Sequence, residues 1–235
     1  MLDFQGYGPR LLEGAWLTAE LAVLSLVLAL VLGLLAASAK LSRSWVLKSI
    51  ATIYSTAIRG VPELVLMLLL FYGGQIGVNV VTDQINAWYG TDLFINLNPF
   101  AAGVITLGVI YGAYMCETFR GAFLAVDSGQ IEAARAYGMS HWLAFRRVRF
   151  PLMMRHALPG LNNNWMVLLK ATALVSIIGL TDMVRVADQA TKATHQPFLF
   201  LIPVGIGYLV ITTISEVGVA WLRRRYDTGF KTGGA

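Results

Sequence analysis

Five apolar runs, each close to the length that crosses a bilayer, decide most of what this chain can become. A helix spanning a hydrocarbon core of about 30 Å needs roughly 20 mostly apolar residues. Leu21–Ala39 carries no charge and is the first such run. Leu64–Thr82, Leu93–Cys116, Ala157–Leu180 and Phe198–Leu222 follow, the fourth interrupted by Lys170 and the fifth by Glu216. Trp45–Ile58 reads as a further helix that feeds the second span through Arg59-Gly60-Val61-Pro62, where Pro62 must kink or restart it. Only 13% of the 235 residues are charged and 57% are hydrophobic, whereas soluble domains carry about 25% charge. A soluble chain this short has no interior large enough to hide that surface. The expected class is an all-α membrane protein that sits in a lipid bilayer with five spans. Met1–Gly14 carries Asp3 and Glu13 and lacks a basic leader segment, so the first run is expected to stay in place as a helix.

The net charge of +5 would suggest nucleic acid if the basic residues formed one surface. They sit instead in short clusters between apolar runs, which argues against nucleic acid and for membrane orientation. Lys40, Arg43 and Lys48 follow the first run; Arg120, Arg135, Arg146, Arg147, Arg149 and Arg155 fall between the third and fourth; Arg223, Arg224, Arg225 and Lys231 follow the fifth. Asn79–Asn98 has no Lys or Arg, and in Asp182–Pro197 Arg185 and Lys192 are offset by Asp182 and Asp188. The positive-inside rule then puts the N-terminus outside and the C-terminus inside. The single Cys116 excludes an internal disulfide, and His141, His156 and His195 are too scattered for a metal site.

The charged stretch Arg120–Pro151 holds the most specific pattern. Glu132-Ala133-Ala134 is followed after three residues by Gly138, and after nine more by Val148-Arg149-Phe150-Pro151. Gln130–Tyr137 favours helix, Gly138 can end one in the left-handed conformation, and Ser140 can cap the next. Tyr137, Met139, Trp142, Leu143 and Phe145 give such a hairpin an apolar face with no bilayer to bury it, which marks a docking surface.

This spacing resembles the EAA motif of binding-protein-dependent ABC importer permeases, with Val148 and Phe150 as apolar replacements for the usual Ile and Leu. Tyr111-Gly112-Ala113-Tyr114, Glu117 with Arg120-Gly121, Gly129-Gln130, Leu158-Pro159 with Asn163 or Asn164, and Leu169-Lys170 resemble the polar amino acid members of that family. Within it, Ile58–Tyr72, Ile105–Val126 and Leu158–Leu180 resemble the Q-type permease of histidine/lysine/arginine/ornithine importers. The resemblance implies a type I permease core over residues 11–225, with short tails at 1–10 and 226–235, in a bacterial inner membrane. It implies that Glu132, Ala133, Ala134, Gly138, Val148, Phe150 and Pro151 form a cytoplasmic coupling helix seated in an ATPase. The implied partners are a second, homologous permease, two ABC ATPase subunits and a periplasmic substrate-binding protein. The chain has no phosphate-binding loop, so it is expected to bind no cofactor itself, ATP and Mg²⁺ belonging to the ATPase.

Ionisable groups inside spans suggest function. Lys170 is one; the family often has a carboxylate where Ala171 stands, which weakens a carry-over of substrate binding to Lys170 and Thr172. Glu63 could meet a cationic substrate, or could pair structurally with Arg59 or Lys170. Tyr72, Tyr111 and Tyr114 could line a pathway or simply pack. Glu117 is expected to pair with Arg120 at i,i+3. The outer loops Asn79–Asn98 and Asp182–Pro197 are expected to meet the binding protein. The expected function is import of amino acids, cationic ones by resemblance, with glutamine or glutamate as the alternative within the same architecture. A self-sufficient channel or secondary transporter is the other reading; an odd span count without an internal repeat speaks against it. The sequence offers no convergent catalytic group, so an enzyme is not expected.

Overall fold

A computed structural model describes residues 4–227, and the regular structure among them is all helical. Lys231 and all but two residues of the 226–235 tail lie outside the described residues. The elements are α1 (Gly8–Lys40), α2 (Trp45–Arg59), α3 (Glu63–Tyr89), α4 (Pro99–Leu124), α5 (Ser128–Ala136), α6 (His141–Ala144), a π turn (Phe145–Arg149), α7 (Phe150–Ala171), a 3₁₀ turn (Thr172–Ile178), α8 (Met183–Thr194) and α9 (Pro197–Asp227). Helices α1, α3, α4 and α9 are each long and apolar enough to cross a membrane. The fifth crossing is a broken one: the path from His141 to Ile178 bends by 52° into α8, and Gly179, at φ +105°, makes the break.

The bundle is built on α1 against α4. A stripe of small side chains, Ala22, Ser25, Ala29, Gly33 and Ala37, is buried along α1 at helical spacing. Lipid supplies no hydrophobic drive between helices, so close backbone approach has to supply the packing. A Cβ placed on Gly33 would sit 2.7 Å from the Met115 Cβ and 3.2 Å from the Gly112 carbonyl oxygen. Gly33→Val is therefore expected to push α1 off α4 and cost about 1–3 kcal/mol, while Gly205→Val, where nothing lies within 4 Å, costs little. Thermal unfolding of the purified transporter would show it; equal midpoints for the two variants would refute the close-packing account.

Several boundaries differ from expectation: α1 already begins at Gly8, and α3 runs on to Tyr89, so that the first half of Asn79–Asn98 is helix, not loop. The third span begins at Pro99 rather than Leu93, because Asn98 caps it, its side-chain oxygen accepting the Phe100 N–H at 2.8 Å, and Pro99 takes the first turn. Residues 91–97 instead run back along α3, where Gln75 accepts the Leu97 N–H and donates to the Ile95 carbonyl. Asp182–Pro197 is mostly helix, not loop. Met183, Val186, Ala187 and Ala190 recur on one face and pack with Leu11, Phe200 and Val204, and Asp182 caps the start. The fourth span starts at Phe150, seven residues earlier than expected, and α4 continues to Leu124, so Arg120 is helical and the turns of the hairpin begin at Ala125.

Candidate functional site

The segment from Ala125 to Arg149 forms the helical hairpin expected of it. Asp127 caps α5, its Oδ1 accepting the Gly129 N–H at 2.6 Å. Helix α5 ends in a Schellman motif: the Gly138 N–H bonds to the Arg135 carbonyl at 2.9 Å and the Met139 N–H to that of Ala134 at 3.1 Å. Gly138, at φ +82°, is the left-handed residue this motif needs. Ser140 then caps α6, accepting the Leu143 N–H. Between α6 and α7 the π turn lets the chain carry Pro151, which has no N–H to donate, without breaking the path. The hairpin is thus mechanically continuous with a span, through the residues Val148, Phe150 and Pro151.

Of the motif residues, Glu132, Ala133 and Gly138 are exposed, Ala134 is buried within the hairpin, and Val148 and Pro151 are half-buried. Tyr137 is 89% and Trp142 69% exposed, the latter stacked on Phe145 at 5.8 Å. Large aromatic side chains left bare on a capped hairpin have the composition of a binding surface.

Toward the end of α4 that leads into the hairpin, Glu117 does more than pair with Arg120. Its Oε2 accepts the Arg120 Nε at 2.9 Å, and its Oε1 meets the Lys40 Nζ of α1. Lys40 also donates to Ser55 of α2. Three helices are thereby tied together just where α4 leads into the hairpin. The i,i+3 pair was visible in the sequence; the link to Lys40, 77 positions away, was not.

Halfway along α4, Tyr111 is buried and donates to both carboxylate oxygens of Glu63, 3.0 Å each. Glu63 therefore pairs with neither Arg59 nor Lys170. Arg59 lies over the Tyr114 ring at 5.4 Å, and Tyr114 touches Tyr111. These four residues bring α2, α3 and α4 together at the break marked by Pro62. The remaining candidates separate. Tyr72 is exposed on α3, and Lys170 is exposed one residue before the end of α7. Because α7 starts at Phe150, Lys170 stands about 30 Å along it, nearer the far end than expected. Thr172 is buried, its hydroxyl donating to the Leu169 carbonyl and lying 3.1 Å from the Tyr208 hydroxyl. It ties the start of the 3₁₀ turn to α9. Polar contacts not anticipated from sequence, Asn164 to Thr118 at 3.0 Å and Asn162 to Glu216 at 3.1 Å, cross between spans instead.

The profile of the family described as "binding-protein-dependent transport system inner membrane component" matches residues 29–228, which takes in the hairpin and four of the five crossings whole. The chain belongs to this family. It is 54% identical to the histidine/lysine/arginine/ornithine transport system permease protein HisQ of Salmonella typhimurium over 96% of its own length and 97% of the relative's. It is 40% identical to the nopaline transport system permease protein NocQ of Agrobacterium fabrum, covering 91% and 89%. Among solved structures it matches an amino acid ABC transporter with histidines at TM-score 0.77 and 33% identity, covering 95% and 97%. The inward-facing MetNI methionine transporter, at 16% identity and TM-score 0.69, shares the fold. The chain is therefore a multi-pass inner-membrane permease of the type I ABC fold. As such it works with a substrate-binding protein and an ATPase, and nucleotide hydrolysis belongs to the ATPase.

Proposed function

We propose that this permease carries cationic amino acids inward by alternating access, as one half of a heterodimer with a homologous permease. Two ATPase subunits, which hold ATP and Mg²⁺, drive it from the cytoplasmic side, and a periplasmic protein delivers the solute. The observation that carries this reading is the hairpin: a doubly capped, aromatic-bearing lever, joined without a break to a span. Its basic flanks support a cytoplasmic hairpin, with the N-terminus out and the C-terminus in. Closing the ATPase dimer would move the lever and so select between inward- and outward-open bundles.

The need for a second permease is supported by α3, where Leu66, Met67 and Thr82 are the buried residues of a 27-residue span. A helix that apolar and that little covered by its own chain has room for a partner. A cationic substrate is favoured by Glu63, a carboxylate held by the Tyr111 hydroxyl, whose ring in turn touches Tyr114, and by the HisQ likeness. Uptake into proteoliposomes containing both permeases, the ATPase and the binding protein should be competed by arginine, lysine, histidine or ornithine. Competition by glutamate alone would overturn the cationic reading, and flux through this chain alone would overturn the ATP-driven one.

A further inference from the structure

The chain breaks between α2 and α3 within the membrane, and two opposite charges flank the break. Helix α2 ends at Arg59, Gly60 caps it, and α3 starts at Glu63 after Pro62. Glu63 is held by Tyr111, which stands about 18 Å along α4 from Pro99 and about 20 Å from Leu124. A hydrocarbon core is about 30 Å thick, so the break lies inside it. At that depth neither irregular backbone nor a guanidinium can face lipid without large cost. Arg59, Gly60 and Pro62 are nevertheless exposed in the single chain. They face a polar path or a partner chain rather than acyl chains.

Neither charge has a counter-charge among the described residues. Glu63 accepts one phenol proton, from Tyr111, although a carboxylate has room for about four hydrogen bonds. The Arg59 Cζ stands 5.4 Å from the centroid of the Tyr114 ring. A ring contact holds the guanidinium in place without using its N–H groups, and these make no hydrogen bond among the described residues. Five N–H donors in a fixed fork match a carboxylate, which they can hold with two parallel bonds. Tyr114 is half-buried, and its ring lies 5.8 Å from that of Tyr111, so contacts run from Arg59 through two tyrosines to Glu63. We propose, on the reading that this chain imports cationic amino acids, that Arg59 binds the carboxylate of the transported molecule and Glu63 the cationic group at its other end. The break then reads two features together, a free carboxylate and a distal cation. A neutral amino acid satisfies Arg59 alone, and an amine without a carboxylate satisfies Glu63 alone.

The test uses the assembled complex of both permeases and the ATPase in nanodiscs, without the binding protein, so that the selectivity of that protein does not enter. Retention of radiolabelled arginine is competed by arginine itself, by agmatine, which is arginine without its carboxylate, and by citrulline, which keeps the carboxylate on a neutral side chain. Arginine is expected to compete best. Each analogue should be about ten- to a hundred-fold weaker, the worth of one hydrogen-bonded contact to a charged group. Arg59→Gln should lower the affinity for arginine by that factor and leave that for agmatine unchanged. Glu63→Gln should lower it likewise and leave that for citrulline unchanged. A variant that weakens all three ligands alike would show a structural role, or a partner-chain carboxylate on Arg59, and overturn the assignment. So would retention that neither substitution alters, or no saturable retention by the unaltered complex up to millimolar arginine. Analogues that match arginine on the unaltered complex would also overturn it, and that ranking needs no variant to assemble. Arginine uptake into proteoliposomes with the binding protein is read separately. No uptake by the unaltered transporter refutes the substrate reading itself; uptake that both variants sustain at the unaltered rate refutes this site alone.

Discussion

Gly138→Val is expected to leave the transporter embedded in the membrane and to remove most of its ATP-driven uptake. Nothing lies within 4 Å of a Cβ built at Gly138, so the substitution adds no clash; its whole effect comes from the backbone. A left-handed conformation costs an L-residue roughly 1–2 kcal/mol and a β-branched one more. The hairpin has two ways to avoid that cost. It can give up the two Schellman hydrogen bonds from Gly138 and Met139, or it can let α5 run on and swing Ser140 and α6 away. Either way Tyr137 and Trp142 lose their fixed spacing. At about 2 kcal/mol, affinity for the ATPase falls some thirty-fold. Gly138→Asn, whose side chain tolerates the left-handed region, should retain most activity, and Gly138→Ala should fall between. The measurements are ATPase co-purification and uptake in proteoliposomes. If valine and asparagine behave alike, the conformation of this residue is not what couples the motor, and the hairpin loses its role as lever.

How much of this was readable before any coordinates depended on the range of the interaction. The spans follow from runs of side chains that water rejects, a local property, and the hairpin follows from Gly138, Ser140 and the spacing around them. Amphipathic α8 was also written in the chain, in Met183, Val186, Ala187 and Ala190. Three charged residues among them, Arg185, Asp188 and Lys192, made the segment look like loop. The small-residue stripe on α1 was hidden for a different reason. Ala, Ser and Gly inside a leucine-rich run do not alter its overall apolarity, yet they decide which face meets α4. Contacts between distant positions were not legible at all. Nothing local announces that Lys40 reaches Glu117, that Tyr111 rather than Arg59 or Lys170 takes Glu63, or that Thr172 turns inward to Tyr208. For the pathway the sequence named residue types suited to a polar route, but depth and facing are properties of packing, which a local reading does not reach.

Glu117→Ala is expected to be the most destabilising single change in the bundle. Its carboxylate is the common acceptor for Lys40 and Arg120, with the Lys40 side chain 10% and that of Glu117 21% exposed. Removing it leaves the Lys40 ammonium at the junction of α1, α2 and α4 with only the Ser55 hydroxyl to face. Breaking a buried pair from one side costs about 3–5 kcal/mol; the partial exposure here argues for the lower figure, roughly 3 kcal/mol. In a chain of this size that corresponds to a fall in melting temperature of about 6–12 °C. Function should suffer beyond stability, because residues 125–127 are all that separates α4 from α5, so the network anchors the base of the lever. The decisive comparison is a double-mutant cycle with Lys40→Met and Glu117→Met. When both charges are gone only the more exposed Arg120 stays charged at the junction, and replacing a buried pair whole is often neutral or stabilising. The double variant should therefore melt well above Glu117→Met alone, with a coupling energy of at least about 2 kcal/mol. Strictly additive effects would mean that Lys40 and Glu117 do not depend on each other, and the hairpin would then be anchored by helix packing alone.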